Sequence, residues 1–540
     1  MKKLCVLCPS AVRKPFWSFD TPLPPMLDSA CATLACAPPS PQVPAVGRYK
    51  CGKFHPEKER IVALRDLREY VARLEAEGEL RHVKTEVDWD LELGAISRRA
   101  IELRGPAPLF ENVKGSPPGY RVLANLMSGT RPAHGRLALA MGLPKETPIL
   151  KLIEEFGDRG LNAIKPMIVN SGPCKEEIHV GDDVNVLEFP VPLIHGKDGG
   201  RYIGTWHIDV NKDPDTGWVN WGMYRHMVHD AKSLGWLATP YQHGPHIYYQ
   251  KYEARGEPMP MAIAIGTEPL CSVAAATSFP SEVSEVEVAG GLRGAPVELV
   301  KCETIDLEVP ATSEIVLEGM VYPGERRMEG SFGEFTGYDA GGRAARPVFR
   351  VQCITHRKDP ILTMCNPGKG WEENDVVFTI NGSATIRNEL RSRGIPFKSV
   401  YVLPPSMSVV VSAKHQYHGY AHTLASAIWS MKGGINRPYI FIVGEDVDVT
   451  DPEDLLWCLT TRLHPVRGIH ILNETPISPL TPFLSTEDKR RGTGARVVFD
   501  ATFPYGWSEE EKPVVVDLEH AWPAHVRERV LERWAEYGME

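Results

Sequence analysis

The chain has 540 residues, 43% apolar and 24% charged, with a formal net charge of −9. At about 150 residues per domain this length predicts three or four domains and ample core. Acidic and basic residues are mixed and form no basic stripe, which argues against a nucleic-acid partner. No apolar run reaches the ~18 residues that span a membrane.

Residues 1–58 differ in texture from the rest. They are rich in proline, poor in acidic residues and without periodicity, and read as a disordered extension. Cys5 and Cys8 have metal-ligand spacing, but no second pair with that spacing follows. Lys2 and Lys3 imitate a signal n-region. The apolar part after them is short and soon meets Arg13 and Lys14, so secretion is not expected. Cys174, Cys271, Cys302, Cys353, Cys365 and Cys458 stand singly in hydrophobic surroundings, the pattern of reduced, buried, cytoplasmic thiols.

From residue 59 to 165 the pattern predicts a small α/β segment. Leu64, Leu67, Val71 and Leu74 recur at helical spacing and Gly78 supplies a stop. A strand at 80–83 follows, and Asp90 can cap a helix running to Leu103. Residues 166–370 read as a barrel or sandwich. Asp213 to Gly217 makes a hairpin turn between runs starting at Tyr202 and Trp218, and further strands are predicted at 261–265, 297–307, 315–320 and 348–355. Residues 371–540 return to an α/β layer pattern. Helices are predicted at 374–393 and 420–431, and strands at 400–403, 408–411 and 439–443. A tail helix follows Pro523, with Val526, Val530 and Trp534 on one face, suited to docking.

Three clusters carry chemistry. One is Trp218-Val219-Asn220-Trp221-Gly222-Met223-Tyr224-Arg225. The second runs from Tyr241 through Gln242 and His243 to His246. The third is Glu329-Gly330-Ser331-Phe332-Gly333-Glu334 and continues to Tyr338. Two carboxylates five apart beside an arginine can tune one another, one lowered by the cation and one raised by burial into the general-acid range. Alone, such a pair is more often a solvated turn. Asn220, His243 and Glu285 offer an amide oxygen, an imidazole and a carboxylate, a set suited to Mn2+ or Mg2+ and phosphate oxygens. His243 alone reads as a satisfied polar residue and Glu285 alone as a surface helix carboxylate.

Residues 300–319 (VKCETIDLEVPATSEIVLEG), the run from Asn220 to Arg225 and the run from Glu329 to Tyr338 resemble the UbiD family, in particular its ferulate and cinnamate decarboxylases. Residues 443–449 with Leu456 and Trp457 match its C-terminal part. The resemblance covers about residue 60 to the end, and the spacing from Asn220 to Glu334 looks ungapped.

The resemblance implies a mixed α+β fold: a small N-terminal α/β segment (59–165), a split β-barrel that binds prenylated FMN (166–370) and a C-terminal α/β oligomerisation domain (371–540). It implies reversible decarboxylation of an aromatic, heteroaromatic or α,β-unsaturated acid. Asn220, His243 and Glu285 match the ligands of a divalent metal, Mn2+ or Mg2+, that holds the cofactor phosphate. Trp221, Ala274, Ala275 and Thr277, with Glu285 shared, match a K+ site. Gly222, Met223, Tyr224, Gln242 and Lys432 fall at the cofactor. Arg225 would hold the substrate carboxylate, Glu329 would fix Arg225, and Glu334 would carry the proton. The expected partners are the acid substrate, a flavin prenyltransferase that supplies the cofactor, and further copies in a homodimer or larger homo-oligomer. A subunit of a multi-subunit carboxylase and a flavin-free metal-dependent hydrolase are the alternatives. Ser478 stands where the cinnamate-type members place a phenylalanine, which implies a wider or more polar substrate pocket unless a neighbour such as Phe483 refills it.

Overall fold

The computed structural model describes residues 63–339 and 342–539. The reading of residues 1–58 and the Cys5/Cys8 pair lies outside them.

The N-terminal segment is a four-stranded sheet in the order Leu80–Val83, Ala107–Phe110, Arg121–Ala124 and Ile361–Met364. The last strand arrives from far downstream and runs parallel to Arg121–Ala124. Helix Leu67–Ala76 buries Leu67, Tyr70 and Leu74 as its spacing predicts, and the Asp66 side chain accepts from Glu69 N at its start. The second helix departs from expectation. It spans Glu92–Glu102 behind Leu91 at φ 68°, and no side chain caps it. Asp90 lies one residue too early for a cap; its N–H donates to Asp88 Oδ1.

The middle of the chain forms a nine-stranded, largely antiparallel sheet. Its path runs Tyr202–Gly204, His226–Asp230, Ser233–Trp236, Ala344–His356, Ile315–Glu329, Met259–Ile265, His207–Lys212 and Val219–Gly222, with Glu177–Val180 on the far end of Ala344–His356. The predicted hairpin is present: Asn211 faces Asn220, and Asp213 Oδ1 accepts from the Asp215 and Thr216 N–H groups inside the turn. The strand predicted at 297–307 is instead a hairpin of Glu298–Lys301 and Glu308–Pro310. The strand predicted to stop at 320 runs on to Glu329. Residues 322–325 leave the ladder as a bulge between Val321 and Arg326, where Gly324 adopts φ 72°. Pro323 therefore sits in the bulge and does not end the strand.

The C-terminal sheet has five strands, ordered Ser399–Leu403, Ser408–Ser412, Tyr439–Val443, Thr493–Ala501 and Ile469–Pro476. Helix Glu373–Ser392 ties the parts together. Val376, Val377, Ile380 and Ala384 enter the large core shared with the upstream segments, while Ile386 and Leu390 enter the C-terminal core. The mixed α+β class therefore holds. The tail helix, Ala524–Glu532, buries none of its residues, and Trp534 beyond it is 46% exposed. On its apolar face Val526 and Val530 are half-buried. Five of the six scattered cysteines are buried, Cys302 is half-buried, and all six are free thiols. Among the described residues no helix is long and apolar enough to cross a membrane.

Candidate active site

A cavity of about 690 Å³ opens where the hairpin edge of the nine-stranded sheet meets helix Glu373–Ser392 and the C-terminal sheet. Strand Val219–Gly222 and the turn after it line one wall with Asn220, Trp221, Gly222, Met223, Tyr224 and Arg225. Helix His243–Ile247 brings His243, with Gln242 just before it. Helix Glu285–Arg293 brings Glu285 in its first turn, behind the Ser284 cap. Lys432 enters from the turn after helix Tyr420–Trp429. Segments far apart in sequence thus converge on one space.

Three groups present candidate ligand atoms to this wall, and one of these atoms has no partner. Asn220 Nδ2 donates to Asn211 Oδ1 at 3.4 Å, but Asn220 Oδ1 is buried with no hydrogen-bond partner. Glu285, expected on the surface if it were structural, is 2% exposed. It accepts the Trp221 N–H at 3.2 Å, and burial pushes its carboxyl up to about 7. His243 Nε2 lies 2.6 Å from Lys432 Nζ and 3.3 Å from Ser281 Oγ. Burial, aided by Lys432, lowers the imidazole to about 4. Burial also lowers Lys432, to about 8, against the pull of Glu285. An orphaned amide oxygen, a buried carboxylate and a neutral imidazole facing one space are the donor set of a divalent cation. They fit the metal that the sequence reading implies.

Of the expected K+ ligands, Trp221, Ala275, Thr277 and Glu285 reach the cavity. Ala274 precedes Ala275 in helix Pro269–Ala275, where it is fully buried, and its carbonyl accepts the Thr277 N–H at 3.0 Å with one lone pair, leaving the second free.

Arg225 forms the second focus. Its Nε and Nη2 donate to Glu329 Oε1 and Oε2 at 2.8 and 3.0 Å, and its Nη1 donates to Glu334 Oε1. Glu329 is 1% exposed and does not line the cavity, whereas Arg225 and Glu334 do. Burial raises the Glu334 carboxyl, with Arg225 opposing and Glu329 and Asp198 adding to the rise. Burial would lower the Arg225 guanidinium, but the flanking carboxylates outweigh it and hold it above its usual value. The two glutamates therefore differ in kind: one is locked behind the arginine, the other faces the cavity with its carboxyl raised by burial.

Several partners were not legible in the sequence. Tyr202 donates its hydroxyl to Glu329 Oε1 at 2.9 Å. Asp209, fully buried, accepts the Tyr224 N–H at 3.2 Å and contacts His226 Nε2 at 2.8 Å, while His207 Nε2 lies 3.1 Å from the Tyr224 carbonyl. This His-Asp-His group holds the backbone just before Arg225 from both sides. No motif marks these residues; only the sheet register brings them together. The glycines of the Glu329–Glu334 loop serve the chain itself. Gly330 adopts φ 91°, and a Cβ at Gly333 would lie 2.7 Å from the His195 ring.

Ser478, 8% exposed, lines the cavity with Leu480 and Thr481. Phe483 does not refill the space. It is 51% exposed and packs edge-on against Tyr439, 6.0 Å between ring centres.

Three domain families match the chain: the N-terminal domain of 3-octaprenyl-4-hydroxybenzoate carboxy-lyase over residues 71–156, its Rift-related domain over 167–370 and its C-terminal domain over 376–501. A pyrrole-2-carboxylic acid decarboxylase of Pseudomonas aeruginosa is 35% identical over 488 residues, 88% of this chain and 98% of that protein. Among solved structures, the vanillic acid decarboxylase of Sedimentibacter hydroxybenzoicus in its closed form is 32% identical with a TM-score of 0.80, covering 89% of this chain and 100% of that one. The UbiD-class enzyme HmfF from Pelotomaculum thermopropionicum, in an evolved dimeric form in complex with prFMN, is 30% identical with a TM-score of 0.72, covering 84% and 98%.

Proposed function

The chain belongs to the UbiD family of carboxy-lyases, and from that premise we propose that it decarboxylates a small aromatic or heteroaromatic acid with prenylated FMN bound in the 690 Å³ cavity. The observation that carries this reading is the Arg225 guanidinium, shared between a locked Glu329 and a cavity-facing Glu334 on the same space as Asn220, His243 and Glu285.

Asn220, His243 and Glu285 would hold Mn2+ or Mg2+, whose charge anchors a dianionic phosphate. Trp221, Ala274, Ala275 and Thr277, with Glu285 shared, would hold K+. Gln242 and Lys432 would contact the cofactor. When bound, the prenylated flavin supplies the electron sink needed as the carbon–carboxylate bond breaks.

The protein's own work is orientation and proton delivery. Arg225, its geometry set by two hydrogen bonds to Glu329, presents Nη1 to the substrate carboxylate. Glu334 yields that position as the acid enters. Its carboxyl, raised by burial, would deliver a proton to the carbon that has lost CO2. In the reverse direction the same carboxylate accepts the proton. Phe332, Phe335 and Phe378 line the cavity near this pair and limit water. Support for an aromatic or heteroaromatic acid comes from the relatives' substrates and from the polar lining of Ser478, Thr481 and Asn374. A homodimer or larger homo-oligomer, and cofactor supply by a flavin prenyltransferase, complete the reading.

Co-expression with a flavin prenyltransferase tests the binding half. A coloured protein with about one divalent metal per chain is expected, and an Asn220→Ala, His243→Ala double variant should lose both. A colourless, metal-free but folded wild-type protein would refute it.

A further inference from the structure

A second group of metal-type ligands lies outside the cavity, on the far edge of the nine-stranded sheet. His179 is on the edge strand Glu177–Val180 and His356 closes the neighbouring strand Ala344–His356. His356 faces Glu177 and Ile354 faces His179, so the two histidines are diagonal neighbours on one sheet face. Glu188, at the end of the short turn Val186–Glu188, completes the group. One ligand atom from each of the three lies within 4.8 Å of the others. None of the three residues lines the cavity.

The geometry within the group is specific. His356 is 2% exposed, and its Nδ1 lies 2.8 Å from the Arg357 carbonyl. A carbonyl only accepts, so Nδ1 carries the proton and Nε2 of the neutral ring carries the lone pair. Metal-bound histidines are oriented in this way. That lone pair faces His179 Nε2 at 3.2 Å. Two nitrogens held ~2.05 Å from one zinc ion at the tetrahedral angle lie about 3.3 Å apart. Glu188 Oε1 is buried with no hydrogen-bond partner, a costly state for a carboxylate oxygen unless a cation meets it. Phe189, edge-on to His356 at 5.4 Å, and Tyr120, whose hydroxyl is 3.5 Å from His356 Nε2, wall the group on the inner side.

We propose that His179, His356 and Glu188 bind one zinc-class divalent cation, separate from the active site, that clamps the edge strand and the 186–188 turn to the sheet. Two imidazoles and one carboxylate suit zinc better than magnesium or calcium, which prefer all-oxygen sites. Water or the Tyr120 hydroxyl fills the fourth position. An ion that binds only the folded chain also raises its melting temperature.

The test uses the holoenzyme, equilibrated with Zn2+ and desalted before metal analysis. The wild type should retain one more zinc per chain than His179→Gln or Glu188→Gln, with flavin content and turnover equal in all three. Zinc that enters the active site cancels in this difference. Equal zinc counts in variants that keep their flavin would overturn the proposal. Should a variant lose its flavin through misfolding, anomalous scattering at the zinc edge from wild-type crystals decides instead. A peak between the two Nε2 atoms supports the site, and its absence overturns it.

Discussion

Arg225 and Glu329 meet through two parallel hydrogen bonds, 2.8 and 3.0 Å long, across 104 residues of chain. The pair fixes the plane of the guanidinium, and Tyr202 fixes the carboxylate in turn. Glu329→Gln keeps the shape but has one oxygen to accept with and no charge. Loss of a charge-assisted bond of this kind costs about 1.5–3 kcal/mol, or roughly 10- to 150-fold in rate. We expect kcat/KM to fall by that factor with flavin content unchanged. Wild-type kinetics in Glu329→Gln would show that the pair does not set the geometry of Arg225.

Glu334→Gln removes the only proton that the cavity-facing carboxyl can give. General acid catalysis is worth about 10²–10⁴ in rate, so turnover should drop at least a hundredfold. Flavin and metal should stay bound, because Asn220, His243 and Glu285 are untouched. Near-normal turnover, read by CO2 release, would remove Glu334 from the role proposed.

Glu372, Glu373 and Asp375 are buried together at the start of helix Glu373–Ser392, and burial raises all three carboxyls, Asp375 to about 8. A carboxyl whose pKa is higher folded than unfolded favours folding while protonated. That contribution is complete below about pH 4 and is lost as pH rises through 8. Asp375→Asn stays neutral throughout. Its Tm should exceed that of the wild type by ~2–4 °C at pH 9, with the gap closing toward pH 5. Parallel Tm–pH curves would contradict this.

Ser478→Phe tests the pocket. With Phe483 turned outward, a ring at 478 enters free space in the cavity. Steric discrimination in such a pocket is on the order of 1–3 kcal/mol. kcat/KM for a bulky acid should fall about 10- to 200-fold, while a slim propenoic acid holds or gains. Unchanged values for both would place Ser478 outside the substrate site.

Local patterns were legible where local physics decides. The spacing of Leu67 and Leu74 predicted their burial on helix Leu67–Ala76, and the Asp213–Gly217 turn predicted the pairing that sets Asn220 opposite Asn211. Asp90 shows the limit of such reading, since a capping residue one position early caps nothing. Strand Ile361–Met364 could not be assigned to the N-terminal sheet from sequence, because its partner Arg121–Ala124 lies some 240 residues earlier. The bulge that carries Ile315–Glu329 past Pro323 is likewise a tertiary outcome. In the site, resemblance supplied Arg225, Glu329 and Glu334, whereas Tyr202 and Asp209 carry no pattern of their own.

The most direct test of the central claim is CO2 release from a panel of aromatic acids, including pyrrole-2-carboxylate and vanillate. The assay compares protein co-expressed with a flavin prenyltransferase against protein made without it. The account predicts release from at least one acid by the co-expressed protein alone, abolished in Glu334→Gln. Equal release by both preparations, or none from a coloured, metal-loaded protein, would contradict it.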